Sequence, residues 1–142
     1  MLGLTRHVRR EAALARRCAL SRETLATAHI ATVTSDTFEG LVGAGEGPIV
    51  VEFMSYGCTH CRTLEPILQY VAGELASSTR IFRVNVALDG DLANQYDIQA
   101  TPTLLMFLNG QELARFEGPH PTVANITATI TECFASADPV HH

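Results

Sequence analysis

With 142 residues, of which 46% are hydrophobic and 18% charged, the chain has enough apolar material for one packed domain and too much for extended disorder or a coiled coil. It contains no apolar run of about 18 residues, so no membrane-spanning helix is expected. The net charge of −5 splits into +4 over residues 1–30 (six Arg, two acids) and −9 over residues 31–142 (four Arg, thirteen acids). Nucleic acid is therefore not an expected partner, because phosphate contacts need clustered cations.

The charge break marks a boundary. Residues 1–29 read as an Arg-rich, Ala/Leu-rich extension, helical or disordered, and residues 30–142 as the folded domain. The extension lacks the apolar core and small-residue cleavage site of a secretory signal. A solvated helix is the preferred reading, ahead of a docking or membrane-surface helix and an organelle transit peptide. A cytoplasmic location is the expectation.

Beyond the boundary, His29 to Thr34 is a short strand candidate. Asp36 followed three residues later by Glu39 is a helix-start signature. A glycine-rich loop over residues 43–48 leads to Ile49 to Met54, an apolar run expected of a central strand buried on both faces. Cys58 to Leu75 follows as a helix, with Leu64, Ile67, Leu68, Val71 and Leu75 spaced by three and four. Pro66 is expected to kink it. Ile81 to Val86 is a strand and Asp91 to Tyr96 a short helix, with Asp89 and Asp91 as turn and cap residues. Thr103 to Leu108, the turn Asn109-Gly110 and Glu112 to Phe116 form a hairpin. Pro121 opens a last helix that runs to about Phe134. The order predicts a mixed α/β sheet covered by helices on both faces.

Two of the four cysteines, Cys58 and Cys61, enclose Thr59 and His60 where the buried strand gives way to a helix. The unpaired N–H groups and dipole of a helix N-terminus stabilise an anion, so the Cys58 thiol should be more acidic than the free value of ~8.5. Cys61, one turn on, can close a disulfide with it. Cys58 is thus the candidate attacking thiol and Cys61 the resolving one. A cationic His60 would favour the thiolate and a more oxidising couple. Zinc or iron–sulfur ligation is a competing reading, but it needs further ligands, and Cys18 and Cys133 are isolated. A structural disulfide is the third.

Several motifs, in order, resemble the thioredoxin superfamily: Pro48 to Met54, then Cys58-Thr59-His60-Cys61 and Pro66-Ile67-Leu68, then Tyr96 to Leu104 with Thr101-Pro102, then Phe107-Leu108-Asn109-Gly110 and Gly118. The resemblance covers about residues 30–136. It implies a thioredoxin fold and thiol–disulfide exchange with protein disulfides, with no bound cofactor or metal. A disulfide reductase or glutathione would be the electron donor, and the protein a monomer. It implies that Pro102 is a cis-proline beside the site, letting the Thr101 backbone pair with an extended substrate; an ordinary trans proline is the alternative. It also places Glu52 as a buried carboxylate able to pass a proton to or from Cys61, the alternative being a partly solvated Glu52 paired with Arg83.

Departures qualify the likeness. Gly57 stands where the family carries Trp before the first cysteine, and Tyr56 is the candidate for the lost aromatic surface. Thr59-His60 replaces the usual Gly-Pro and is similar to the pairs of disulfide isomerases and oxidants. The expected function is a protein disulfide reductase in redox homeostasis. An isomerase or oxidant, or a non-catalytic binding or chaperone module on the same fold, is the rival.

Overall fold

The structure, a computed structural model, describes residues 30–117 and 121–137. The expected extension with Cys18, and His29, Gly118, His120, His141 and His142, lie outside the described residues.

Five strands form one sheet in the order β1 (Ile30–Thr32), β3 (Arg80–Asn85), β2 (Pro48–Met54), β4 (Thr103–Leu108), β5 (Gln111–Phe116). β3 runs parallel to both β1 and β2, whereas β4 is antiparallel to β2 and to β5. Helices α2 (Thr59–Glu74) and α4 (Val123–Ala137) cover one face. The π-helical turn α1 (Glu39–Gly43) and α3 (Gly90–Gln95) contribute Val42 and Leu92 to the core of the other.

Strand alternation builds two cores from one sheet. Val50, Ile81, Leu104 and Met106 point towards α2 and α4, where they meet Leu64, Leu68, Val71, Ile126 and Ile130. Ile49, Val51, Phe53, Phe82, Val84, Leu105 and Phe107 point the other way, against Val42 and Leu92. Phe38, Phe53, Tyr96 and Phe107 form an aromatic cluster there, with ring centroids 5.3–6.1 Å apart. The mixed sheet covered on both faces is as expected. The same parity fixes the polar members of the strands: Glu52 shares a face with Val50, and Arg83 with Ile81, so both lie under α2.

α2 continues through Pro66 as one helix. Elsewhere some local signals were overridden. The Asp36–Glu39 start signal is not used: Thr34 and Thr37 close a turn on themselves, with Thr34 N donating to Thr37 Oγ1 at 3.0 Å, and the helix that follows is one π-helical turn without a side-chain cap. Asp89 occupies the N-cap of α3 without capping it, because its Oδ1 is taken by the N–H and hydroxyl of Ser35 at 3.0 and 2.9 Å. The last helix begins two residues after Pro121, and Thr122 Oγ1 caps it by accepting from Asn125 N at 3.0 Å.

The β4–β5 turn carries positive φ at both central residues, Asn109 (51°) and Gly110 (84°), the signature of a type I′ hairpin. Asn109 Oδ1 accepts from Gly47 N at 2.9 Å, tying the turn to the loop before β2. A Cβ on Gly110 would run into the backbone carbonyl of Gly43. On edge strand β5, Arg115 pairs with Glu112 at 2.9 Å and donates to the carbonyls of Tyr96 and Asp97 at 2.9 and 3.3 Å. Gly110→Ala should lower stability by about 2 kcal/mol or more, since left-handed strain adds to the backbone clash; urea denaturation measures it directly.

Candidate active site

β2 ends at Met54, and Ser55, Tyr56 and Gly57 turn the chain into α2, with Cys58 N donating to Ser55 O at 3.1 Å. Cys58 is the N-cap residue, with extended backbone (φ −87°, ψ 120°). Its Sγ takes the part usually played by a hydroxyl or carboxylate, accepting from Cys61 N at 3.3 Å. The Cys58 thiol reaches the Thr101 carbonyl at 3.5 Å. Both cysteines are free thiols, Cys58 half-buried and Cys61 buried.

The two thiols differ sharply in acidity. Burial pushes Cys58 up, but hydrogen bonds from the side chains of Cys61 and Thr101 and from the backbone of Cys61 and His60 outweigh it, leaving Cys58 below the ordinary thiol value. Burial first, and then its hydrogen bond to Cys58, push the Cys61 thiol up to about 11. Cys58 is therefore the more acidic of the two sulfurs, and its neighbour is held as a thiol.

Beneath them lies Glu52, wholly buried, with neither carboxylate oxygen hydrogen-bonded. Burial raises its pKa to about 7, against the opposing charge of Arg83. Register places Arg83 directly beside it on β3, with Nε 3.6 Å from Oε1. Glu52 is thus both buried and paired with Arg83, and the partly solvated alternative does not apply. The far end of the guanidinium goes elsewhere: Nη2 contacts both oxygens of Glu65 on α2 at 2.6 Å.

The Thr101–Pro102 peptide bond is cis, not the trans alternative. Thr103, fully buried, anchors this loop by donating to the Ala100 carbonyl at 2.6 Å. A groove of about 220 Å³ runs alongside, between His60 and Thr63 of α2, Thr101 and Pro102, and Phe116 and Glu117 at the end of β5. His60 and Thr59 are exposed on the first turn of α2, and Tyr56 is 63% exposed on the approach to it. Among the described residues, no group of three or more His, Cys, Asp or Glu is placed to hold a metal ion. Cys133 sits half-buried in α4 against the core. The site thus gathers Cys58, Cys61 and Glu52 with the Thr101–Pro102 loop, His60, Thr59 and Tyr56. Sequence reasoning missed Glu65; its spacing of four from Cys61 was the available signal.

A dithiol of unequal acidity, opening a helix behind a buried strand, is the working part of a thiol–disulfide oxidoreductase. Comparison with known proteins agrees. The thioredoxin family model matches residues 29–132. Thioredoxin C-2 of Corynebacterium nephridii is 33% identical over 67% of this chain and 88% of its own length. The thioredoxin of Rickettsia bellii is 30% identical over 62% and 84%. The chloroplastic thioredoxin Y of Oryza sativa subsp. japonica is 34% identical over 62% of this chain, a match that spans about half (52%) of the rice protein. The chain belongs to the thioredoxin family.

Glu52 also links the site to stability. Its folded pKa of about 7 lies above the ordinary 4.5, so folding favours the protonated form; that contribution is complete below about pH 4.5 and lost as pH rises through 7. Between about pH 4 and 8, the stability difference between Glu52→Gln and the parent should move in the variant's favour by about 3 kcal/mol, at ~1.4 kcal/mol per pKa unit. Urea denaturation across that range reads it.

Proposed function

We propose that the protein reduces protein disulfides, with Cys58 as attacking thiolate and Cys61 as resolving thiol. The observation that carries this reading is the Cys58 sulfur at the N-cap of α2, accepting from Cys61 N and lying against the Thr101 carbonyl. The Cys58 thiolate attacks one sulfur of a substrate disulfide, forming a mixed disulfide and releasing the other sulfur as a thiolate. Cys61 then loses its proton and attacks Cys58 Sγ. The second substrate thiolate leaves, and a Cys58–Cys61 disulfide remains. Two electrons pass to the substrate, whose two sulfurs end as thiols.

Glu52 is the proton acceptor in this scheme. Its pKa of about 7 lets it both take and return a proton at neutral pH, and Cys61 at about 11 needs such a partner. The backbone at Thr101, before cis-Pro102, pairs with an extended substrate segment. Tyr56, Thr59 and His60, exposed around the sulfurs, meet the incoming chain. A dithiol reductase or glutathione returns the electrons. The direction suits a reducing compartment such as the cytoplasm, where the protein acts as a monomer.

His60, exposed one residue before Cys61, favours a second reading as an isomerase or oxidant, because a cation there would hold Cys58 as thiolate and stabilise the reduced form. The reduction potential separates the two. Equilibration in glutathione buffers, read by thiol trapping and mass spectrometry, should give a value near the −270 mV or so of thioredoxin itself. A value of about −180 to −120 mV would make the protein an isomerase or oxidant. In the same assay Cys61→Ser should accumulate a mixed disulfide at Cys58; failure to form one would remove the exchange reading altogether.

A further inference from the structure

Arg83 is shared between two carboxylates on different elements. Its Nε lies 3.6 Å from Glu52 Oε1, an ion pair beyond hydrogen-bond reach, and makes no hydrogen bond. Its Nη2 lies 2.6 Å from both oxygens of Glu65. Glu65 is held in place by Gln69 Nε2, which donates to its Oε1 at 3.0 Å. With Cys61 and Tyr56, Glu65 borders a cavity of about 120 Å³ beside the resolving thiol. The charged and titratable groups bearing on Glu52 are Arg83 from β3 and Glu65 and Cys58 from α2 and its cap. Its neighbour on β4 is the apolar Leu104.

A guanidinium and a carboxylate on facing positions of adjacent strands would ordinarily close into a direct, hydrogen-bonded pair, because an orphaned buried charge is costly. Here they do not. The stronger claim on Arg83 comes from a half-exposed carboxylate on the helix above.

We propose that Glu65 is a positioning residue: by drawing the Arg83 guanidinium outward, it leaves the Glu52 carboxyl without a hydrogen-bonded cation and so sets the proton affinity of that carboxyl. The inference rests on Glu52 being the proton acceptor of the exchange reaction. Remove the Glu65 charge and two things happen together. Arg83 loses its outer partner and turns to Glu52, and a negative charge near Glu52 disappears. Both favour the ionised form of Glu52.

The test is a carbon-13 titration of the Glu52 side-chain carboxyl in the full chain, over about pH 5 to 9, with the signal assigned by its loss in Glu52→Gln. In Glu65→Gln the midpoint should fall by about one pH unit or more, as expected when a cation closes on a carboxylate. The Arg83 Nε–H should at the same time become protected from exchange. An unmoved midpoint, or an Arg83 Nε–H that stays unprotected, would overturn the proposal. Single-turnover reduction of a peptide disulfide tests the reading beneath it. The acid limb of its pH profile should shift in Glu65→Gln and not when the same change is made on Glu52→Gln. A fallen midpoint with an unchanged profile would leave Glu65 its hold on Arg83 and instead remove Glu52 from the proton path.

Discussion

The burial of β2 from both sides is the constraint on which the site depends. A strand sealed between two helical layers has no route to water for any polar side chain it carries. Glu52 is the one charged residue in that strand, and alternation turns it towards α2. The strand's last residue, Met54, sets where the chain turns and hence where α2 begins. A single apolar run therefore positions a helix end, and the sulfurs on it, on the same side of the sheet as a carboxylate that solvent cannot reach. The cost of holding that carboxylate is met by the apolar burial around it, with Arg83 adding its charge from 3.6 Å but no hydrogen bond.

The difference between the two sulfurs follows from three residues of helix geometry. Cys58 is outside the first turn, in reach of N–H groups that have no other acceptor; Cys61 is inside it, facing the core with Leu64 and Leu68. The same helix thus lowers one thiol and raises the other. Of the two sulfurs, only that of Cys58 is open to an outside electrophile, because Cys61 is buried.

Much of this was legible in the chain. β2, β3, β4 and α2 announce themselves through apolar runs and three–four spacing, and Asn109-Gly110 fixes the hairpin because few other pairs tolerate positive φ twice. The position of Cys58 and Cys61 at a helix start follows from the same pattern. What failed were signals outcompeted by another partner, local for Asp36, which lost its cap to the Thr34–Thr37 turn, and tertiary for Asp89, which gave its carboxylate to Ser35, 54 residues away. The cis state of Pro102 came only through family likeness, since no local pattern separates it from a trans proline. Glu65 was hidden for a different reason. It reads as a solvated acid on an exposed helix flank, and only the register of β3 brings a guanidinium beneath it.

The outer strand has a role of its own. β5 forms one rim of the sheet, and such rims offer unpaired backbone groups to any other extended chain. This one is six residues long, carries a register irregularity against β4 at Met106/Phe107, and presents Glu112, Arg115 and then Glu117 in succession. Arg115 is further committed to the carbonyls of Tyr96 and Asp97. A short rim studded with paired charges is a poor template for a second molecule to extend the sheet. The edge is thereby guarded against joining another molecule's sheet, and the approach of an extended chain is left to the face that carries the sulfurs.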